Sequence, residues 1–271
     1  MSTSMGRVLL VGAGPGAADL MTVRAVKAVQ AAGAVLYDAL IDPEALELAP
    51  RGCLRIQTGK RAGKASLGQD AINRLMLKLA RRGLDVVRLK GGDPSIFGRS
   101  GEERAFLEAH GVAVEIVPGV TAACAAAAQF GFPLTHRGEA RRVTFATARV
   151  QDGTLVEAGW SGLADHETTA VLYMGRDAAS ALAMRLIAEG RSPATPALAV
   201  ENAGRAQARL LRTTLADLGA TVEAAGLDGP VLLVVGDAAR MATPSMLSGL
   251  GFDHAGAEVG DHLVGVEHAC A

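Results

Sequence analysis

Two glycine-rich segments of this 271-residue chain could bind a nucleotide-like ligand. The first, Gly12 to Ala17, fits the G-x-G-x-x-A pattern of dinucleotide-binding loops, and Asp38 ends the next predicted strand, where such folds bind a ribose. However, Pro15 removes a backbone donor, and Asp19 would bring negative charge to the site of a pyrophosphate. The pattern therefore allows an NAD site, a site for a ligand without phosphates, or a simple tight turn.

The second segment, Gly91-Gly92-Asp93-Pro94, follows the predicted strand Asp85–Leu89. Ligands of open α/β sheets bind at the carboxyl ends of strands, and two consecutive glycines expose backbone groups there. Asp93 can accept hydrogen bonds from hydroxyl groups such as those of a ribose. Arg99 and Glu102 follow at the start of a predicted helix, where Glu102 and Glu103 could equally be ordinary first-turn acids.

The elements that position these segments alternate between short apolar runs and longer amphipathic runs, which predicts a doubly wound α/β first half and a second, partly antiparallel α/β half. In the first half we predict strands at 7–11, 34–37, 54–58, 85–89 and 112–117, and helices at 19–31, 69–82, 102–110 and 121–129. In the second half we predict strands at 142–147, 169–174, 197–201, 208–213 and 230–235, and helices at 178–189 and 214–225.

The composition excludes several classes of protein. Hydrophobic residues make up 49% of the chain and charged residues 20%, which excludes global disorder, and the net charge of -1 gives no reason to expect nucleic acid or a membrane as partner. The three cysteines have no CxxC spacing, and the tail residues His254, His262, His268 and Cys270 fit no ligand pattern, so we expect no metal. Without a signal peptide or a 20-residue apolar run, the chain is expected to be cytoplasmic.

The basic residues are 22 Arg and only 5 Lys. Arg pairs bidentately with carboxylates and keeps its charge when desolvated, so this bias is compatible with an anionic small-molecule substrate. A GC-rich genome would produce the same bias, and the sequence leaves both explanations open.

A set of motifs resembles one known family. GAGPG, VLYDAL, GKRAGK, VVRLKGGDPSIFGRSGEE, VPGVTAA, PLTHR, YMG and VEN occur in this order between about Gly6 and Arg240. Together they resemble the uroporphyrinogen-III C-methyltransferases of the tetrapyrrole (corrin/porphyrin) methylase superfamily. The resemblance implies transfer of methyl groups from S-adenosyl-L-methionine to C2 and C7 of uroporphyrinogen III, which gives precorrin-2 for sirohaem or cobalamin biosynthesis.

The same resemblance implies two α/β domains with the active site in the cleft between them, and a homodimer. We predict an N-terminal domain over residues 5–131, a C-terminal domain over 132–241 and a disordered tail over 242–271. The residues implied to bind the methyl donor are Pro15, Gly91, Gly92, Asp93, Ile96, Thr121, Ala122, Met174 and Ala203.

Four positions are implied to be catalytic. Asp38 and Lys60 match the proton acceptor and donor proposed for the family, while Glu102 matches a residue that orients Arg99 or assists proton removal. Arg99, Arg137 and Met174 match positions that contact the substrate, which carries eight carboxylates.

Two departures from the family pattern concern binding. Ala39 replaces a frequent arginine, which removes one possible carboxylate contact, and Ala203 replaces a frequent glycine, which narrows the donor site. Three alternatives remain: methylation of a later corrin precursor or a non-tetrapyrrole, a nicotinamide-dependent oxidoreductase, and a non-catalytic module that retains the donor site.

Overall fold

The computed structural model describes residues 5–59, 67–147, 150–151, 154–155 and 160–244. The first part of the chain contains the strands β1 (Val8–Gly12), β2 (Ala34–Tyr37), β3 (Leu54–Gln57), β4 (Val86–Lys90) and β5 (Val114–Val117), with the helices α1 (Val23–Gln30), α2 (Pro43–Glu47), α3 (Gln69–Arg81), α4 (Ser100–Ala109) and α5 (Ala122–Gln129). The second part contains β6 (Arg142–Thr147), β7 (Val150–Gln151), β8 (Thr154–Leu155), α6 (Trp160–Ala164), β9 (Thr168–Tyr173), α7 (Ala179–Ala188), β10 (Pro196–Glu201), β11 (Arg209–Thr214), α8 (Leu218–Ala224) and β12 (Val231–Val235).

The first sheet is parallel throughout, with the strand order β3-β2-β4-β1-β5. Its side chains alternate between two cores, as the twofold repeat of a strand requires. Leu10 packs with residues of α3 and α4 on one face, and Val11 packs with residues of α1 and α2 on the other. Because helices cover both faces, the central strands β1 and β4 are buried along their whole length, and the predicted doubly wound architecture is confirmed.

The second sheet is mixed, with the order β11-β10-β12-β9-β6. Only β6 and β9 pair in parallel, and the other three pairings are antiparallel. One face packs against α6, α7 and α8 through residues such as Leu172, Leu182 and Leu218. The partly antiparallel character predicted from the sequence is therefore correct.

Helix α5 joins the two sheets. The sequence groups it with the first sheet, but its small residues Ala123 and Ala126 pack in one core with Val171 and Val200 of the second sheet. Alanine side chains allow this close approach because they leave little space between the helix backbone and the strands. The predicted domain boundary at residue 131 thus assigns α5 to the N-terminal domain, although the apolar face of this helix packs on the second sheet.

Several predicted segments differ in detail from the structure. The predicted helix 214–225 begins only at Leu218, because Thr214 is still paired in β11. The predicted helix 19–31 is split into a 3₁₀ turn at Ala18–Leu20 and α1, because the Thr22 side chain accepts a hydrogen bond from the Ala25 backbone and begins a new helix. In the predicted tail, Ala242 is buried and the Thr243 backbone donates to Phe130. From residue 245 the tail lies outside the described residues, as do its histidines and Cys270. No helix in the described ranges combines the length and apolarity needed to span a membrane.

Candidate functional site

Three loops meet at the carboxyl ends of β1, β4 and β5. Gly14 and Gly92 exchange two backbone hydrogen bonds, with N···O distances of 3.2 and 2.6 Å. A Cβ atom at Gly12 would lie 2.7 Å from the Gly92 carbonyl oxygen, and a Cβ at Gly119 would overlap the same oxygen. The strand order changes direction between β1 and β4, so the loops converge where open α/β sheets bind ligands.

A cavity of about 230 Å³ opens beside these loops and is closed on its other side by the second sheet. The first sheet contributes wall residues from the loops after β1, β2, β4 and β5, and the second contributes them from β9, β10, β12 and the adjoining loops. The nine residues predicted to bind the donor all line this one cavity: Pro15, Gly91, Gly92, Asp93, Ile96, Thr121, Ala122, Met174 and Ala203. The wall is completed by Leu40, Tyr173, Val200, Arg205, Pro230, Val231 and Leu232.

The cavity wall is chiefly apolar. Ile96, Val200 and Leu232 supply aliphatic surface, while Gly91 and Gly92 expose backbone groups. Pro15, which has no backbone N–H, occupies the position where a dinucleotide-binding loop would donate to pyrophosphate. The residues that line this cavity therefore fit a nucleoside without phosphate groups better than a dinucleotide.

Asp93 fixes the second glycine loop from within. One carboxylate oxygen accepts hydrogen bonds from the Ser95 backbone, at 2.7 Å, and from the Ser95 hydroxyl, while the other accepts from the Gly119 backbone at 2.9 Å. Burial opposes ionisation, but these hydrogen bonds outweigh it and hold the pKa of Asp93 below its ordinary value. The carboxylate is thus used for loop structure, in addition to lining the cavity.

Tyr173 connects the two sheets at the cavity wall, a role that the sequence does not predict. Its hydroxyl lies 2.5 Å from the Thr121 hydroxyl and accepts a hydrogen bond from the Ala123 backbone, at the first turn of α5. Burial raises the pKa of Tyr173, which keeps the phenol protonated. Only its position within the YMG motif marked this residue in the sequence.

Four non-glycine residues around the cavity adopt a left-handed backbone conformation, with φ between 53° and 55°: Phe97, Arg99, Met174 and Asn202. Phe97 packs on the Tyr173 ring with a centroid separation of 5.2 Å. Met174 directs a side chain that is 66% exposed toward the cavity mouth. Backbone strain of this kind concentrates at functional sites, and here two of the strained residues, Phe97 and Met174, are exposed and lie next to the wall residue Tyr173.

Arg99 and Glu102 form a bidentate pair just beyond the second glycine loop, outside the residues that line the cavity. The Arg99 Nε and Nη2 atoms donate to the two carboxylate oxygens of Glu102 at 2.9 and 2.6 Å, and both side chains are more than half exposed. These hydrogen bonds lower the pKa of Glu102 and raise that of Arg99. A lowered pKa makes Glu102 a weaker base, so the geometry favours the predicted role of orienting Arg99.

A buried ion cluster lies beneath this loop. Glu103 is fully buried and accepts from Lys90 at 2.8 Å, from Arg88 at 3.4 Å and from Gln69 at 3.1 Å. Burial lowers the pKa of Lys90, and the Glu103 carboxylate only partly restores it. The sequence treats Glu103 as a first-turn acid like Glu102, whereas the structure shows that it ties α4 to the end of β4 and to the start of α3.

Of the remaining predicted residues, those that the structure describes lie apart from the cavity wall. Asp38 follows β2, and its Oδ1 atom accepts from the backbone of Leu40, a wall residue, at 3.0 Å. Lys60 lies outside the described residues, which end at Gly59 in this region. Arg137 is exposed in a turn closed by two hydrogen bonds between the backbones of His136 and Ala140. Within the described ranges, no group of three or more His, Cys, Asp or Glu residues is arranged to hold a metal ion.

Comparisons with known proteins agree with this architecture. Residues 7–219 match the family of tetrapyrrole (corrin/porphyrin) methylases. The chain is 47% identical to siroheme synthase of Chromobacterium violaceum over 88% of this chain and 50% of that protein, and 45% identical to siroheme synthase of Azotobacter vinelandii over 88% and 51%. It therefore spans about half the length of these curated relatives.

Solved structures give the same assignment. The uroporphyrin-III C-methyltransferase of Thermus thermophilus, solved as a complex with S-adenosyl homocysteine, is 38% identical, covers 87% of this chain and 94% of its own, and has a TM-score of 0.73. A cobalt precorrin-4 methyltransferase of cobalamin biosynthesis is 30% identical, with coverage of 86% and 95% and a TM-score of 0.78. This chain belongs to the family of tetrapyrrole (corrin/porphyrin) methylases.

Proposed function

We propose that this chain is an S-adenosyl-L-methionine-dependent C-methyltransferase that converts uroporphyrinogen III to precorrin-2 by methylation at C2 and C7. One observation carries the proposal: the nine residues that the family resemblance assigns to the donor line a single cavity between the two sheets. They come from distant parts of the sequence, so chance placement on one wall is a poor explanation. The relative solved with S-adenosyl homocysteine supports the same donor.

The donor supplies an activated methyl group when it is bound. The aliphatic wall around Ile96, Val200 and Leu232 suits the adenosine, and Gly91 and Gly92 present no side chain that would keep the ligand away from the loop. A sulfonium methyl requires alignment with an electron-rich ring carbon more than further activation, so the main contribution of this chain is positioning. Two rigid sheets that contribute to one wall are well suited to that task.

The substrate side of the cavity is assigned to the exposed residues at its entrance. A tetrapyrrole with eight carboxylates requires cations that stay charged, and Arg99 is held in one orientation by its bidentate contact with Glu102. Met174 offers an apolar contact to the macrocycle. Arg137, on the exposed turn after the first half of the chain, is proposed as a second carboxylate partner.

Each transfer forms a carbon–carbon bond to the ring and breaks the sulfur–methyl bond, which leaves S-adenosyl-L-homocysteine. The positive charge moves from sulfur to the ring, and loss of a ring proton restores neutrality. We assign Asp38 as the acceptor of that proton. The net reaction releases one proton for each methyl group, so Lys60, the implied proton donor, would protonate the ring only where a second ring proton is lost in exchange. The Leu40 backbone N–H, which donates to Asp38, orients one of its carboxylate oxygens and leaves the other available.

Turnover tests the proposal directly. The protein is incubated anaerobically with S-adenosyl-L-methionine and uroporphyrinogen III, and the product is analysed by mass spectrometry. We expect a mass gain of two methyl groups. If uroporphyrinogen III stays unmodified while a later corrin precursor is methylated, the chain has the activity of another member of the family instead.

Ligand binding separates the methyltransferase from the oxidoreductase alternative. S-adenosyl-L-homocysteine is expected to raise the thermal unfolding midpoint, and NADH is expected to leave it unchanged. Asp38→Asn and Arg99→Ala are expected to reduce turnover by about 100-fold while the S-adenosyl-L-homocysteine shift remains. Stabilisation by NADH alone would reject the proposal, and near-normal turnover in both variants would reject their roles.

We further propose that the chain acts in the cytoplasm as a homodimer and without a metal ion. The family resemblance supports the homodimer, and the absence of zinc-type cysteine spacing supports metal-free chemistry. Light scattering during size-exclusion chromatography should give twice the mass of the chain. Turnover that survives prolonged treatment with a chelator is expected.

A further inference from the structure

The side chain of Arg205 crosses from the second half of the chain to the first at the cavity wall. Its Nη2 atom donates to the carbonyl oxygen of Leu40, and its Nη1 atom lies 4.0 Å from the Asp42 carboxylate. The side chain is only 17% exposed. Arg205 also lines the cavity itself, so one residue both closes the wall and holds the segment after β2.

The backbone around Arg205 is fixed to the first half by several contacts. The Gln129 side chain donates to the Arg205 carbonyl at 3.0 Å and accepts from the Gly204 backbone at 2.9 Å, and the Ala17 backbone donates to Gly204 at 2.9 Å. Gly204 has a φ of 77° and packs so closely on Pro15 that a Cβ atom would overlap the proline ring. These contacts fix the backbone of Arg205 independently of the contacts that its side chain makes.

The path of the side chain also depends on a glycine. A Cβ atom at Gly16 would overlap the Cγ atom of Arg205, and would lie 2.9 Å from its Nε atom. The first glycine loop thus leaves a groove in which the arginine stem lies. This requirement gives Gly16 a purpose that a nucleotide-binding loop alone does not explain.

We propose that Arg205 is a positioning residue that holds the segment Asp38 to Asp42 against the donor cavity and acts on turnover through Asp38. Leu40 connects the two groups, because its carbonyl accepts from Arg205 while its N–H donates to Asp38. Without the guanidinium, the turn after β2 loses its tie to the second half, and the carboxylate loses its fixed direction. This inference rests on the proposed function, since it assumes that Asp38 accepts the ring proton.

Two substitutions distinguish the effect of the guanidinium group from that of the aliphatic part of the Arg205 side chain. Arg205→Met keeps an apolar stem over Gly16 and in the cavity wall but removes all hydrogen-bond donors, and Arg205→Lys restores one charged donor. We expect Arg205→Met to lower kcat at least about tenfold while KM for S-adenosyl-L-methionine and Kd for S-adenosyl-L-homocysteine change less than about threefold. Arg205→Lys is expected to recover part of the lost kcat. Arg185→Met is the matched control, because that arginine pairs with Glu189 on α7, and its turnover should equal that of the wild type.

A double-mutant cycle tests the route through Asp38. If Arg205 acts by holding Asp38, then Arg205→Met should lower turnover less than about threefold further in the Asp38→Asn background. Independent, multiplying effects would overturn the proposal, as would an unchanged kcat in Arg205→Met or a large loss of S-adenosyl-L-homocysteine binding. If Arg205→Met fails to fold, the same cycle is measured with Arg205→Lys. A wild-type protein that binds S-adenosyl-L-homocysteine but does not methylate uroporphyrinogen III would refute the proposed function instead, which distinguishes the two failures.

Discussion

Glu102 and Glu103 are neighbours in the first turn of α4, yet their surroundings are opposite. Glu102 is more than half exposed and pairs with Arg99 outside the cavity wall, whereas Glu103 is fully buried between Lys90 and Arg88 beneath the loop. An exposed ion pair contributes little to stability, because water screens it, but it can exchange partners with a charged ligand. A buried carboxylate that neutralises two cations cannot be exchanged. We therefore propose that Glu102 and Arg99 serve the substrate, whereas Glu103 holds the loop in place.

The largest expected effect comes from removing the buried carboxylate. Glu103→Gln leaves Lys90 and Arg88 buried without a counter-charge, and breaking a buried pair in this way costs about 3–5 kcal/mol of unfolding free energy. Urea unfolding monitored by circular dichroism measures the loss. A free energy of unfolding equal to that of the wild type would mean that water reaches the cluster, and the contrast with Glu102 would then be wrong.

The exposed partner is expected to affect activity instead. Glu102→Gln removes the charge that orients the Arg99 guanidinium, so we expect turnover of uroporphyrinogen III to fall about tenfold, mainly through KM for the tetrapyrrole. Its urea midpoint should remain that of the wild type, and it should bind S-adenosyl-L-homocysteine normally. Destabilisation comparable to that of Glu103→Gln would remove the distinction between the two acids.

A smaller effect should appear in the pH dependence of stability. Burial places the pKa of Lys90 in the folded protein below its ordinary value, which applies in the unfolded chain. At a pH between these two pKa values, the unfolded chain therefore binds more protons than the folded protein. The stability contribution of Lys90 therefore rises with pH through that window, as the buried ammonium loses its proton. In Lys90→Met this rise should be absent. Parallel urea-unfolding curves for both proteins across the alkaline range would show that the buried lysine keeps an ordinary pKa.

Local sequence signals predicted most of the fold. The strand Ala34–Tyr37 was predicted with its observed bounds, because a short β-branched and apolar run between helical segments has few alternatives. The glycine loops were correctly expected at the carboxyl ends of strands. The break before α1 was missed, although Thr22 is a typical N-cap residue.

The sequence could not reveal contacts between residues far apart in the chain. Arg205 and Leu40 are separated by 165 positions, and Tyr173 and Thr121 by 52, so no periodicity links them. Glu102 and Glu103 look alike as first-turn acids, and only the packing of α3 against α4 makes one of them buried. The residues assigned by resemblance are therefore a prediction about roles, whereas the coupling between the two sheets is visible only in three dimensions.

We propose that the cavity between the two sheets binds the methyl donor. Isothermal titration calorimetry with S-adenosyl-L-homocysteine tests it most directly, on the wild type and on Ala203→Leu, which fills the cavity from the second half without adding charge. We predict one binding site per chain in the wild type and at least about tenfold weaker binding in the variant, which corresponds to about 1.4 kcal/mol. No binding to the wild type, or equal affinity in both proteins, would contradict the account.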